Sequence, residues 1–296
     1  MANDGKQRGK GLISKVRRQY PLHQFNDLPF WMQHNQYIVS GYRVGLSMKD
    51  TLLSLVHLHN ETLNVWTHLL GTLSFTFLML FDMCTWLRQG EAVDKLVYLI
   101  YVVSAQFLLG CSTSFHLFHC LSKSSAEYGW FARLDYIGIS ILITGSYFSP
   151  VYFMFSCAPL VVTFYISGIT ILMIAAICVT FHPMFEKPGY ELIRASVFVG
   201  MAVFGVICIP HALLVFGIGP VWPLAWRLGL MGVFYLGGVV VYVSKFPERM
   251  FPGQFDCTFH SHAIWHCFVL AGAYAMYHVI VYCFENRFNS PCTMYL

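Results

Sequence analysis

Charge is what this sequence has least of. Asp, Glu, Lys and Arg make up 11% of its 296 residues, while 57% are hydrophobic. An ordinary soluble domain carries about 25% charged residues, so a soluble globular protein is excluded. A signal peptide is also missing: the chain opens "MANDGKQRGKGLISKVRRQYP", with no apolar h-region in residues 1–50. The first apolar run is therefore expected to direct insertion itself. No low-complexity tract and no defensible internal repeat occurs. The ten cysteines form no framework, because most lie inside apolar runs, where a thiol acts as a small hydrophobe. Cys84, Cys283 and Cys292 fall near run ends or in the tail, where a bridge is open to the chain though no spacing supports one. The last apolar run has no lysine, which excludes a retinal Schiff base in it.

What is abundant is apolar length. A helix needs about 20 apolar residues to cross a bilayer. Seven runs meet this: residues 64–87, 96–118, 134–156, 157–181, 192–216, 219–244 and 260–284. The expected fold is an all-α membrane protein of seven transmembrane helices. Residues 1–58 read as a basic arm, 59–285 as the membrane domain and 286–296 as a short tail. Residues 47–58, "SMKDTLLSLVHL", read as a short amphipathic helix lying along the inner interface.

Lys and Arg near span ends mark the cytoplasmic side. With the N-terminus inside, the arm places eight of the 18 basic residues there. Lys123, Arg133, Lys187, Arg194, Lys245 and Arg249 join them; Arg88, Lys95, Arg227 and Arg287 lie outside. The C-terminus is then extracellular. This orientation is opposite to that of a G protein-coupled receptor. The basic arm could also attract anionic lipid, but the positive-inside signal accounts for it.

Ionisable groups within spans are expensive and mark functional sites. His116 ends the second span, Asp135 starts the third, and His262 and His266 start the seventh. In the orientation above all four sit near the cytoplasmic side, roughly 5–10 Å inside the boundary at about 1.5 Å per residue. His262 and His266 are i, i+4 on one helix face, a spacing that suits two imidazoles on one metal. His116 would complete a three-histidine set with a position left for water, the pattern of catalytic zinc. Asp135 would accept a hydrogen bond from that water or from an imidazole. Ser112 lies one turn before His116. The bland reading, hydrogen-bonded core histidines, covers any one of them; convergence at one depth outweighs it. His260 is expected at the interface, solvated or behind the other two. Asn60 or Thr62 is expected to cap the first span, with Glu61 in its first turn; Glu61 and His68 are also placed to line an inner cavity. Pro210 predicts a kink in the fifth span, and the neighbouring His211 is unexplained. Arg249 reads most simply as a topology charge, or as a partner for Glu248 or an acidic lipid head group.

"HNETLNVWTHLLG" (59–71), Ser112 to His116, "LDYIGIS", "KFPERMFPGQFD" and "FHSHAIWH" follow one another as in a known family. Together they resemble the progestin and adipoQ receptors, in the adiponectin-receptor-like branch, over residues 25–285. "YIVSGYR" (37–43) is similar to the segment ahead of that family's first span. The resemblance implies a heptahelical receptor of inverted topology. It implies zinc on His116, His262 and His266, with Asp135 on the zinc water and Ser112 nearby. It also implies ceramidase-type hydrolysis of a lipid amide and a link to lipid metabolism. The arm is shorter than in the vertebrate adiponectin receptors and the tail is unlike theirs, so adiponectin is not assumed as ligand.

The leading expectation is a zinc-dependent lipid amide hydrolase that signals. The rival is a receptor or membrane-state sensor whose zinc is structural. A transporter or proton pathway ranks last, since the polar groups gather at one end. Expected partners are membrane lipids, ceramide among them, and an extracellular protein or small lipid ligand; homo-oligomerisation stays open and nucleic acid is not expected. The plasma membrane is the expected location, with an endomembrane as the alternative.

Overall fold

The computed structural model describes residues 20–286. It is all-helical, and among the described residues seven helical spans are long and apolar enough to cross a membrane. A short helix, α1 (Met48–Leu53), precedes them. The spans are α2 (Thr62–Cys84), α3 (Ala92–Phe118), α4 (Ser125–Phe155), α5 (Pro159–Thr180), the pair α6 (Glu191–Val206) and α7 (Cys208–Phe216), α8 (Ile218–Ser244) and α9 (Ser261–Glu285). The first 19 residues, with most of the expected arm cations, lie outside the described residues, as do Arg287, Cys292 and nearly all of the expected tail.

Local chemistry sets these ends. Glu91 and Asp94 form a reciprocal capping box at the start of α3, and the Ser124 hydroxyl accepts the Glu127 N–H to start α4. Pro159 opens α5, where its missing N–H costs nothing. Gly217, at φ +78°, separates α7 from α8. The kink expected at Pro210 is a break at Ile207, three residues earlier. That is the turn where a proline leaves a carbonyl unpaired and its ring crowds the backbone. Span three begins earlier than its apolar run, because "SAEYGWFAR" (125–133) is helical although polar.

The core runs between α2, α3, α4 and α9 around Phe75, Tyr101, Leu109, Val151 and Met276, all fully buried. In its most apolar window α3 is 56% buried, against 17% for α5, α6–α7 and α8. The peripheral spans therefore leave most of their apolar surface for lipid. At the far end from the arm, buried Asp82 accepts from Trp86 Nε1 (2.8 Å), Tyr98 Oη (2.5 Å) and Tyr277 Oη (2.9 Å), tying α2, α3 and α9 together. His211 bonds Tyr165 Oη at 3.0 Å, which gives that deep imidazole a structural partner. Cys84 and Cys283 are free, whereas Cys157, between α4 and α5, is disulfide-bonded.

The arm folds over the bundle end where α9 begins. The Asp256 carboxylate accepts the Val39 and Ser40 N–H groups at 2.9 and 2.8 Å. Glu248 does not pair with Arg249. It turns inward, fully buried, and accepts from Asn35 Nδ2 (2.9 Å), the Ser261 N–H (2.7 Å) and the Ser261 hydroxyl. Gly41, at φ +92°, lets the chain pass Cys257, whose Sγ would lie 3.0 Å from any Cβ there.

Candidate metal centre

His116 comes from the last turn of α3, and His262 and His266 from the first two turns of α9. Their ligand atoms all lie within 4.8 Å of one another. His116 Nε2 and His262 Nε2 are 3.3 Å apart. Two nitrogens on one tetrahedral zinc at about 2.0–2.1 Å would be separated by roughly that distance. The three imidazoles, drawn from segments distant in the sequence, do come together.

Two of the rings are held on their other nitrogen by the start of α2, through Glu61 at its N-cap and Asn64 in its first turn. His116 Nδ1 bonds Glu61 Oε2 at 2.7 Å, and His266 Nδ1 donates to the Asn64 carbonyl at 3.1 Å. Each bond leaves Nε2 of that ring for the centre. Imidazoles that ligate a metal usually have their other nitrogen engaged by a carboxylate or carbonyl in this way. Asn64 Nδ2 in turn donates to Glu61 Oε2 at 2.6 Å, and the His68 ring stacks on His266 with centroids 3.9 Å apart. Glu61, Asn64 and His68 are i, i+3 and i+7, one face of a helix. The donor set fits zinc: neutral imidazoles suit that borderline cation, and the tautomers of His116 and His266 are preset.

The expected capping of α2 is not made. Glu61 occupies the N-cap position without a side-chain cap bond, and Thr62 Oγ1 accepts the His59 N–H instead. Burial opposes the charge on Glu61, but the adjacent His116 and His119 rings hold its carboxyl well below the usual range. His260 also departs from expectation. It is buried, caps α9 by accepting the Ala263 N–H at 3.3 Å, and donates to the Asn60 carbonyl at 2.9 Å. A ring that serves as an N-cap is drawn under the helix and away from solvent.

Arg43 escaped the sequence reading, which counted it as a topology charge. It is fully buried and donates to the Ser54 hydroxyl (2.5 Å) and to the carbonyl of His116 (2.6 Å). No local pattern in "YIVSGYR" announces a long-range bond of this kind. His59 beside it is buried too; burial first, and the Arg43 charge second, push its pKa from 6.5 down to about 3.

Asp135 on α4 and Ser112 on α3 are both buried, and they interact with each other. They line, with His262, His266 and His68, one end of a cavity of about 280 Å³. The rest of that cavity is mostly apolar, with Arg194, Ser146, Tyr235 and Tyr242 also in its lining, and runs between α4, α6 and α8 toward Pro150 and Cys208. Val203, Val206 and Leu236 belong to its wall and are more than half exposed on the outside of the bundle. The cavity therefore meets the lipid-facing surface between α6 and α8.

A haemolysin-III-related family model matches residues 56–277. The chain is 35% identical over 287 residues to heptahelical transmembrane protein 1 of Arabidopsis thaliana, covering 94% of this chain and 86% of that one. It is 33% identical to progestin and adipoQ receptor family member 3 of Homo sapiens, covering 95% and 92%. It is also 33% identical to the adiponectin receptor protein of Drosophila melanogaster, covering 95% of this chain and 64% of that longer one. The chain thus belongs to the haemolysin-III-related family, among its heptahelical progestin and adipoQ receptors.

Proposed function

We propose that this chain is an adiponectin-receptor-like membrane protein that binds zinc at His116, His262 and His266 and hydrolyses a lipid amide of the ceramide class. One observation carries the reading: three imidazoles converge, and two of them, His262 and His266, lie in the wall of a mostly apolar cavity that reaches the lipid-facing surface. A head group placed at those imidazoles leaves its acyl chain among the apolar walls. When bound, zinc supplies Lewis-acid polarisation and lowers the pKa of water. Asp135 takes the proton of the attacking water and returns it to the leaving amine. Ser112 fixes the Asp135 carboxyl, and Glu61 and Asn64 fix two of the three rings. Hydrolysis would couple the protein to lipid metabolism through a released fatty acid and a sphingoid base.

The membrane orientation belongs to this reading. Basic residues favour a cytoplasmic arm. The disulfide at Cys157 lies at the opposite end, consistent with an oxidising compartment there. In α1 and the short 3₁₀ turn after it, Met48, Leu52 and Val56 point outward while Thr51 and Ser54 are buried. An apolar face turned away from the protein suits the inner membrane interface. The plasma membrane is the proposed location.

The test uses the purified full chain with ceramide, following fatty acid release and metal content. About one zinc per chain is expected, with release that disappears in a His262→Ala, His266→Ala double variant. Release equal to that of the double variant would remove the hydrolase reading. The second reading, a receptor whose zinc is structural, draws on the fact that the ligands span two helices, α3 and α9, which a metal would cross-link. Asp135→Ala separates the two. Lost hydrolysis with zinc retained supports catalysis, and unchanged signalling supports a structural ion.

A further inference from the structure

Two opposite charges share a second cavity without pairing. Arg227 is the only Asp, Glu, Lys or Arg in α8, and Glu285 is the only one in α9. Both line a cavity of about 410 Å³ between those helices, at the end of α9 away from the histidines. Among the described residues neither belongs to an ion pair. A charge within an apolar span is costly and calls for a partner. The protein holds the Arg227 guanidinium in place but leaves its charge unmatched. One Nη donates to the Pro223 carbonyl, and the guanidinium carbon lies 3.8 Å from the ring centroid of Tyr282 and 4.5 Å from that of Trp226. An arginine has five N–H donors, and that carbonyl is its only hydrogen-bond acceptor among the described residues. His278, Tyr282 and Glu285 are i, i+4 and i+7, one face of α9. Glu285 stands one turn, about 4.5 Å, beyond the Tyr282 on which the guanidinium stacks. A cation and an anion thus lie at successive levels of one cavity. A phosphate joined to an amine through two carbons has the matching polarity and reach. Trp226 and Leu230 in the same wall are exposed on the outside of the bundle, where acyl chains can lie. Snorkelling alone would account for Arg227, but not for a carboxylate that shares its cavity and stays unpaired.

We propose that this cavity binds the head group of a zwitterionic phospholipid from the leaflet at that end, with the phosphate on Arg227 and the amine at Glu285. The proposal is independent of the hydrolase reading.

The test titrates the delipidated full chain in detergent with phosphatidylcholine, phosphatidylglycerol and diacylglycerol of equal acyl chains, counting bound lipid by native mass spectrometry. The wild type is expected to bind phosphatidylcholine about tenfold or more tighter than diacylglycerol, which lacks the phosphate, and to prefer it to phosphatidylglycerol, which lacks the amine. In Arg227→Leu the first difference should fall to within about twofold, with zinc content unchanged. Glu285→Gln should keep the first difference and lose the second. Equal binding of phosphatidylcholine and diacylglycerol by the wild type, or a difference that survives in Arg227→Leu, overturns the proposal. So does a preference for phosphatidylcholine over phosphatidylglycerol that survives in Glu285→Gln. Should Arg227→Leu fail to fold, Glu285→Gln, at an exposed position, decides alone by that last comparison.

Discussion

A carboxylate at the first turn of a helix usually serves that helix, and position 61 looks like such a place. In the folded chain Glu61 serves α3 instead, holding His116 at 2.7 Å. Removing a carboxylate that orients a metal-bound imidazole typically costs about 10–100-fold in affinity. Glu61→Ala is therefore expected to weaken zinc binding by that order, measured by competition with a chelator, while Glu61→Gln, which keeps an acceptor, should lose less. His59 gives a second prediction. Its folded pKa of about 3 lies below its ordinary 6.5, so the unfolded chain binds the extra proton. The stability it contributes is complete above about pH 6.5 and is lost as pH falls toward 3, by at most about 1.4 kcal/mol per unit. Thermal unfolding in detergent between pH 7 and 4 should show this fall, and His59→Phe should flatten it. The three clustered histidines were legible in the sequence because they are ionisable groups in apolar runs. Arg43 and His260 were not, since an arginine in an arm and a histidine at a helix start both have ordinary solvated roles. Long-range bonds accompany their burial, Arg43 to the His116 carbonyl and His260 to the Asn60 carbonyl.

At the level of the helix, apolar length was enough to find every span, and caps and prolines placed most of their ends. The start of α4 was hidden because its first two turns are polar and rest beside the arm rather than in lipid. Close helix contacts were also hidden, since a glycine in an apolar run says nothing about what it faces. Gly138 on α4 is such a case: a Cβ there would lie 2.9 Å from Cα of Leu108 on α3. Backbone cannot rotate aside, so Gly138→Ala should force α3 and α4 apart and cost about 1–3 kcal/mol. Gly110→Ala on α3 meets open space and should gain up to about 1 kcal/mol from helix propensity. Denaturation of both variants in the same detergent makes the comparison. Because α3 carries Ser112 and His116 while α4 carries Asp135, only Gly138→Ala should also lower zinc affinity.

The whole molecule is polarised. One end has the arm, the histidines and Asp135; the other has Asp82 with its three donors and the disulfide-bonded Cys157. The proposed orientation predicts that an epitope tag before Met1 is reached by antibody only after cells are permeabilised. Labelling of intact cells at that tag would reverse the assignment. Asp82→Ala should destabilise the far end by about 1–3 kcal/mol, because it strands buried donors, yet leave zinc content intact. Loss of both together would mean that the two ends are not separable in this way.

The arm has a consequence for where the protein can be shortened. Its bonds to Asp256, Glu248 and the His116 carbonyl all arise between Asn35 and Arg43. A chain trimmed to start at Tyr20 keeps every one of them. A chain trimmed to start at Gly45 retains all seven spans but leaves Glu248 and Asp256 short of partners and the His116 carbonyl without its arginine. The smallest self-sufficient unit therefore begins no later than Asn35, about 27 residues before the first span at Thr62.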